Sequence, residues 1–160
     1  MTYQTYMDSP VGRLLLEGGH DHLRRVAFVK ENPAGAVKTG GSGSPTLRRA
    51  VEQLNAYFAG ELREFDLPLD LQGTPFQLGV WRALQDIPYG ETISYGELAR
   101  RIGTPKGSRA VGLANGANPI AIVVPCHRVI GSNGKLTGYG GGLGNKETLL
   151  ALEGRQAALY

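Results

Sequence analysis

The sequence predicts an α/β (α+β) chain in two parts. A small N-terminal α/β domain covers residues 1–72, and a mainly helical C-terminal domain covers 73–160. Three observations predict this. Residues 2–29 read as short strands with turn signals between them, and one amphipathic helical pattern follows at 46–59. Composition shifts at Gln72-Gly73. Beyond that point helix-start signals recur, at Thr74-Pro75-Phe76-Gln77 and at Ser94-Tyr95-Gly96-Glu97.

The first three strands are Tyr3–Met7, Arg13–Glu17 and Leu23–Val29, with Ser9-Pro10-Val11-Gly12 and Gly18-Gly19-His20-Asp21 as turns. His20 and His22 stand two apart. With no third ligand near in sequence, two solvated turn histidines are the better reading than a metal pair. Residues 31–46 are rich in Gly, Ser and Pro and lack periodicity, which predicts a mobile loop. Leu47, Ala50, Val51, Leu54, Tyr57 and Phe58 share one helical face, and Gly60 supplies the stop. Phe65–Leu71 alternates apolar and polar residues; Pro68 makes it an edge strand or an extended linker. Residues 1–72 contain no catalytic constellation and read as a scaffold.

In the second half, Thr74 opens a helix whose apolar face is Phe76, Val80, Ala83, Leu84 and Ile87. Pro88-Tyr89-Gly90 breaks it. Ser94 opens a short helix ending at Gly103; Thr104-Pro105 restarts a third that runs to about Asn115. Two short helices around a tight turn form a helix-turn-helix pattern, although many such corners bind nothing. The last of these helices, Ser108–Ala117, is built nearly all of small residues, with one arginine. A major-groove reader carries amides and long cations. Small side chains instead let a backbone enter a narrow minor groove, with Arg109 as the probe. Tight packing inside the protein, with Arg109 in a surface salt bridge, explains the pattern equally well.

Ile120–Val124 is short, apolar and β-branched, and reads as a buried strand ended by Pro125. The only cysteine, Cys126, then sits at a strand end beside His127. A lone cysteine is more often inert and buried. The stretch that follows, 131–144, holds seven glycines in fourteen residues, so its backbone can lie against a planar ligand with Tyr139 as a wall. It lacks the pattern of a phosphate-binding loop. A last short helix carries Lys146, Leu149, Leu150, Leu152 and Glu153.

Composition narrows the function. With 41% hydrophobic and 19% charged residues, the chain fits a soluble globular protein. No apolar run is long enough to span a membrane, and the N-terminus lacks a secretion signal. One cysteine allows neither an internal disulfide nor a multi-cysteine zinc site. A free thiol suits a reducing cytosol, so a cytoplasmic protein is expected, nucleoid-associated if prokaryotic. A net charge of +3 permits nucleic-acid binding but argues weakly for it.

Pro125-Cys126-His127-Arg128-Val129 stands with Arg109-Ala110-Val111-Gly112 upstream and Asn118-Pro119 between. Downstream come Gly141-Gly142-Leu143, Lys146, Leu149-Leu150 and Glu153. This set resembles the O6-alkylguanine-DNA alkyltransferases over about residues 74–154, in order and at compatible spacing. The resemblance implies a small RNase H-like N-terminal domain followed by a winged-helix or helix-turn-helix-like domain that enters the minor groove. It implies a single-turnover transfer of an alkyl group from O6-alkylguanine, and from O4-alkylthymine, to Cys126. The nucleotide must first leave the stack.

By the same resemblance, His127 is the base, through a water, because strand neighbours point to opposite faces. Glu153 orients the imidazole, as a carboxylate does in a triad. Asn118 holds the two halves of the site. Tyr95, Tyr139, Gly140, Lys146 and Val129 form the substrate pocket. Arg109 fills the gap left by the extruded base, and Ser94, Tyr95, Ala110, Gly112 and Ala114 meet DNA. The thioether product has no carbonyl for water to attack, so the cysteine stays alkylated. No cofactor and no metal are implied. The expected partner is double-stranded DNA containing O6-alkylguanine, with no membrane, bound by a monomer that acts singly or cooperatively along DNA.

Two features depart from some relatives. An N-terminal zinc site and a second methyl-accepting domain are excluded by the single cysteine. Gly140 stands where some relatives carry serine, which removes one hydroxyl and leaves a roomier pocket. The presence of Cys126 argues against the alkyltransferase-like proteins, which lack it. Two readings of other classes remain: an operator-reading regulator, which would show sequence preference, and a cysteine hydrolase, which would turn over an ester.

Overall fold

The computed structural model describes residues 2–29, 43–131, 139 and 142–158, with side chains as far as position 154 in the last helix. The chain divides into two compact units, Met1–Leu71 and Gln72–Tyr160.

The first unit is an antiparallel meander with one helix. Strands β1 (Tyr3–Ser9), β2 (Gly12–Gly18) and β3 (Leu23–Phe28) pair in sequence order. The β1–β2 turn is tight, with Ser9 opposite Gly12. Gly12 has φ +93°, which a side chain rarely tolerates. Alternation puts Thr5, Met7, Leu14 and Leu16 on the buried face. Helix α1 (Pro45–Phe58) covers that face with Leu47, Ala50, Leu54 and Tyr57. It starts one residue before the expected position because Ser44 caps it, its Oγ accepting from Leu47 N–H at 3.2 Å. Gly60, in the left-handed region, follows its end. The alternating stretch around Pro68 forms one bridge beside β3: Leu23 N–H donates to Pro68 O and Asp70 N–H to Leu23 O, both at 2.8 Å. Proline only accepts there, so the missing N–H costs nothing. Of the loop expected over 31–46, positions 31–42 lie outside the described residues.

The second unit is mainly helical. Helix α2 (Pro75–Leu84) opens with a complete capping box: Thr74 Oγ1 accepts from Gln77 N–H and Gln77 Oε1 from Thr74 N–H. A two-residue strand, β4 (Ile93–Ser94), leads into α3 (Tyr95–Arg101). Here only half of the expected box forms. Ser94 Oγ accepts from Glu97 N–H at 3.0 Å, while the Glu97 carboxylate turns to Arg100 and Arg101. Helix α4 (Ser108–Gly116) begins later than Thr104-Pro105. Those residues belong to a turn closed by Gly107 N–H on Thr104 O at 2.8 Å. Beyond it come β5 (Val129–Ile130), parallel to β4, and the long α5 (Leu143–Ala158).

Ile120–Val124 is not a strand. Asn118 organises it as a tight turn: Oδ1 accepts from Ile120 N–H at 3.0 Å and Nδ2 donates to Val124 O at 2.8 Å. Val124 N–H returns to Ile120 O, and Ile122 takes φ +72°. That conformation is rare for a β-branched residue and costs about 1–3 kcal/mol. Burial of Ile120, Ile122 and Val124 at 1% exposure or less offsets it.

Trp81 fastens α2 to α4, its indole N–H donating to Ala114 O at 2.8 Å. Ala114 itself is buried, packed inward with Val111. Its expected place at a DNA surface is therefore corrected: in a nine-residue helix one face must cover the core, and Ala114 is on that face. Ala114→Leu should overpack the core and cost about 1–3 kcal/mol. Thermal unfolding checks this; an unchanged midpoint would return Ala114 to the surface. Among the described residues no helix is long and apolar enough to cross a membrane.

Candidate active site

Cys126 begins a single 3-10 turn, Cys126–Arg128, between the Asn118 turn and β5. All three side chains are buried. The turn, rather than a strand end, fixes the thiol: Arg128 N–H donates to Pro125 O at 3.0 Å and Cys126 N–H to Val124 O at 2.8 Å.

The next residue is locked to α5. His127 Nε2 lies 2.7 Å from Glu153 Oε2, with the ring fully buried. A carboxylate only accepts, so Nε2 carries the proton and Nδ1 of the neutral ring has its lone pair available. Nδ1 is buried with no hydrogen-bond partner among the described residues. It is the one basic atom the pair leaves for chemistry.

Arg128 completes this cluster. Its Nε and Nη2 donate to the two Glu153 oxygens at 2.8 and 3.0 Å, and Nη1 donates to Ile87 O at 2.6 Å. A fork on both carboxylate oxygens fixes orientation as well as charge. Burial alone would raise the Glu153 carboxyl, but His127 and Arg128 outweigh it and hold it at about 2. Burial drives His127 below its ordinary 6.5, although Glu153 opposes this. The resting ring is therefore neutral beside an ionised carboxylate.

The thiol has other neighbours. Burial pushes Cys126 above its ordinary 9.0; a hydrogen bond from Asn118, the charge of Lys146, its own backbone and a hydrogen bond with Tyr139 oppose that rise. Asn118 Nδ2 has two N–H donors; one is on Val124 O, which leaves the other for the sulfur. Lys146 is buried and donates to Val129 O at 2.6 Å, with Nζ 5.9 Å from the centre of the Tyr95 ring. Burial lowers the Lys146 ammonium and raises the Tyr139 phenol. Lys146, Leu149 and Glu153 share one buried face of α5, so that helix delivers both the cation and the carboxylate.

The remaining expected residues fall in two groups. Ser94 caps α3, and Tyr95 follows it. Val129 is buried in β5, where it meets Ile93 of β4. Gly112 lies over Tyr95: a Cβ there would stand 3.8 Å from the ring, in ordinary contact. Arg109 and Ala110 are exposed in the first turn of α4. Arg109 forms no salt bridge among the described residues, which removes the surface-pair explanation. Gly140 lies outside the described residues.

Two residues escaped the sequence reading. Arg128 drew no role, yet a cation between His127 and Val129 in a buried motif needs an acid, and Glu153 faces inward two turns from Lys146. Asn115 served only to mark the end of a helix. It is buried, donating from Nδ2 to Cys126 O at 3.3 Å, and so ties α4 to the Cys126 backbone. His22 is engaged, its Nδ1 3.1 Å from Asp21 Oδ1 and its Nε2 3.0 Å from Arg24.

These shifts set the acid behaviour. An unfolded chain binds a proton at histidine near 6.5 that the folded ring resists, so this stability is complete above pH 6.5 and declines below it. Glu153 adds a second loss as pH falls from 4.5 towards about 2. The thiol acts oppositely, its contribution fading as pH rises past 9.0. Urea midpoints should fall from pH 7.5 to 5.5 and again below 4.5. Equal midpoints at pH 7.5 and 5.5 would contradict a buried neutral His127.

Comparison with known proteins agrees over both units. Residues 75–155 match the family model "6-O-methylguanine DNA methyltransferase, DNA binding domain", and residues 2–71 match "6-O-methylguanine DNA methyltransferase, ribonuclease-like domain". A methylated-DNA–protein-cysteine methyltransferase of Mycolicibacterium paratuberculosis is 61% identical over 156 residues, covering 97% of this chain and 93% of that one. The crystal structure of Mycobacterium tuberculosis O6-methylguanine methyltransferase superposes with a TM-score of 0.86 at 53% identity, covering 98% of this chain and 94% of that one. That of the Mycobacterium tuberculosis OGT in complex with DNA gives 0.86 at 54%, covering 96% and 93%. With a ribonuclease-like unit, a DNA-binding unit and a buried Cys-His pair held by an inward-facing glutamate, this chain belongs to the 6-O-methylguanine DNA methyltransferase family.

Proposed function

We propose that this protein repairs DNA by direct reversal, moving the alkyl group of O6-alkylguanine, and of O4-alkylthymine, to Cys126 in one irreversible turn. The observation that carries this reading is the buried thiol beside a neutral imidazole whose Nε2 is committed to Glu153.

At rest both thiol and ring are uncharged. Reaction needs a thiolate, and burial opposes one. Nδ1 of His127 takes the thiol proton, through an intervening water, and Glu153 steadies the resulting imidazolium. Asn118, Lys146 and Tyr139 steady the developing thiolate. The sulfur attacks the alkyl carbon, a C–S bond forms as the C–O bond breaks, and the base oxygen leaves with the electron pair. The proton lost by sulfur ends on the released guanine, so atoms and charge balance. Tyr95, Val129, Tyr139 and Lys146 line the base pocket.

The target atom is inaccessible inside a duplex, so the nucleotide is extruded. The exposed Arg109 enters the minor groove and fills the gap, with Ser94, Tyr95, Ala110 and Gly112 near the strand. The free thiol fits a cytoplasmic protein, nucleoid-associated in a prokaryote, and the protein works as a monomer, singly or cooperatively along DNA.

Titration tests this. Repair of a duplex carrying O6-methylguanine should stop at about one equivalent of lesion per protein, because no step regenerates the thiol. Repeated turnover, or transfer by Cys126→Ala, would sink the proposal.

A further inference from the structure

Helix α4 leaves Arg109, Ala110, Leu113, Gly116 and Ala117 exposed, at helical spacing, opposite the buried Val111, Ala114 and Asn115. Of the exposed five, Ala110, Gly116 and Ala117 reach no further than Cβ. Leu113 is 74% exposed, against 37% for Phe76 and 46% for Leu143, the other large apolar side chains exposed among the described residues. An apolar side chain so bare forgoes burial that the fold does not offer it. It stands one turn beyond Arg109, about 6 Å along the helix axis, on the order of two base steps.

Charge identifies the occupant of this face. Positions 92–118 carry Arg100, Arg101, Lys106 and Arg109 against one acid, Glu97. Glu97 is already paired with Arg100 and Arg101. A basic segment that carries a lone apolar projection fits a polyanion with an apolar interior, which is a duplex. A protein partner would be met by more apolar area than one leucine.

We propose that Leu113 is a positioning residue for extrusion: an apolar wedge that enters the minor groove beside Arg109 and loosens the adjacent base step. This rests on the DNA-repair reading and deepens it. Inserted apolar side chains unstack a step, a cost that the bent and opened duplex returns as contact. Arg109 then fills the vacated position while Leu113 holds the neighbouring step apart. Neither touches the reacting atoms.

The test compares single-turnover rates on three O6-methylguanine oligonucleotides: a paired duplex, the same duplex with an abasic site opposite the lesion, and the single strand. Leu113→Ala should lower the paired-duplex rate relative to the single-strand rate by about tenfold. The deficit should shrink to about threefold or less opposite the abasic site, where unpairing is already done. Leu113→Met, still long and apolar, should restore most of the ratio. Because Leu113 is exposed, the variants keep the fold, and thermal unfolding verifies it. An unchanged paired-duplex ratio in folded Leu113→Ala would overturn the proposal. So would an equal loss on all three substrates, or a sedimentation change in the free protein with the ratio kept, which would assign the face to a second copy. Failure of the wild-type protein to transfer from any of the three would instead overturn the repair reading itself.

Discussion

Glu153→Gln should lower stability by about 3–5 kcal/mol and nearly abolish alkyl transfer. Glu153 is 1% exposed and takes two hydrogen bonds from Arg128 and one from His127. The amide fits the same space but carries no charge. It leaves the Arg128 guanidinium buried, with only Ile87 O as a full partner. One nitrogen of the amide also turns a donor towards a donor. A loss of this size is a large part of a typical domain's stability and should drop the melting temperature by roughly 10 °C. The chemical loss is separable: below the melting point the imidazolium lacks its counter-charge, so the transfer rate falls even in folded protein. Arg128→Met together with Glu153→Leu removes both charges and should recover much of the stability but none of the rate. A Glu153→Gln variant that melts within about 2 °C of the wild type would show that the cluster carries neither burden.

Arg109→Ala should reduce repair of duplex DNA by about a hundredfold while leaving the fold intact. The side chain is exposed, forms no salt bridge among the described residues, and is the one charged side chain of its helix. On the proposed reading it occupies the place of an extruded base, which offsets part of the unstacking cost. A free O6-benzylguanine base has nothing to unstack, so the ratio of duplex rate to free-base rate is the informative quantity. That ratio should collapse. Equal losses on both substrates would move Arg109 into the pocket chemistry.

What could be read in advance follows from how local each feature is. Helix α1 was legible to within one residue, because an amphipathic period and a terminating glycine are local signals. The three-stranded meander was legible from its turns for the same reason. The Ile120–Val124 turn was not. Its composition is that of a strand, and what bends it is the Asn118 side chain bonding to both ends, together with a left-handed isoleucine. No propensity encodes that arrangement. The β4–β5 pair escaped because two-residue strands have no period.

In the site, the motif located Cys126 and His127, and the resemblance supplied Glu153, at 2.7 Å from the ring. Arg128 was missed although it stands inside the motif. Its burial depends on the acid 25 residues away and on a carbonyl in a turn 41 residues back. Ala114 was placed outward because a helix of mostly small residues has little polarity contrast to mark its faces. Trp81 packing against Ala114 O decides which side is in.

The central claim is that Cys126 itself becomes the permanent acceptor. Intact mass after incubation with duplex O6-methylguanine, followed by peptide mapping, tests it most directly. The expected result is a gain of one methyl, about 14 Da, confined to the Cys126 peptide, in step with the loss of activity. Unchanged mass with continued lesion loss, or the methyl on another peptide, would contradict it.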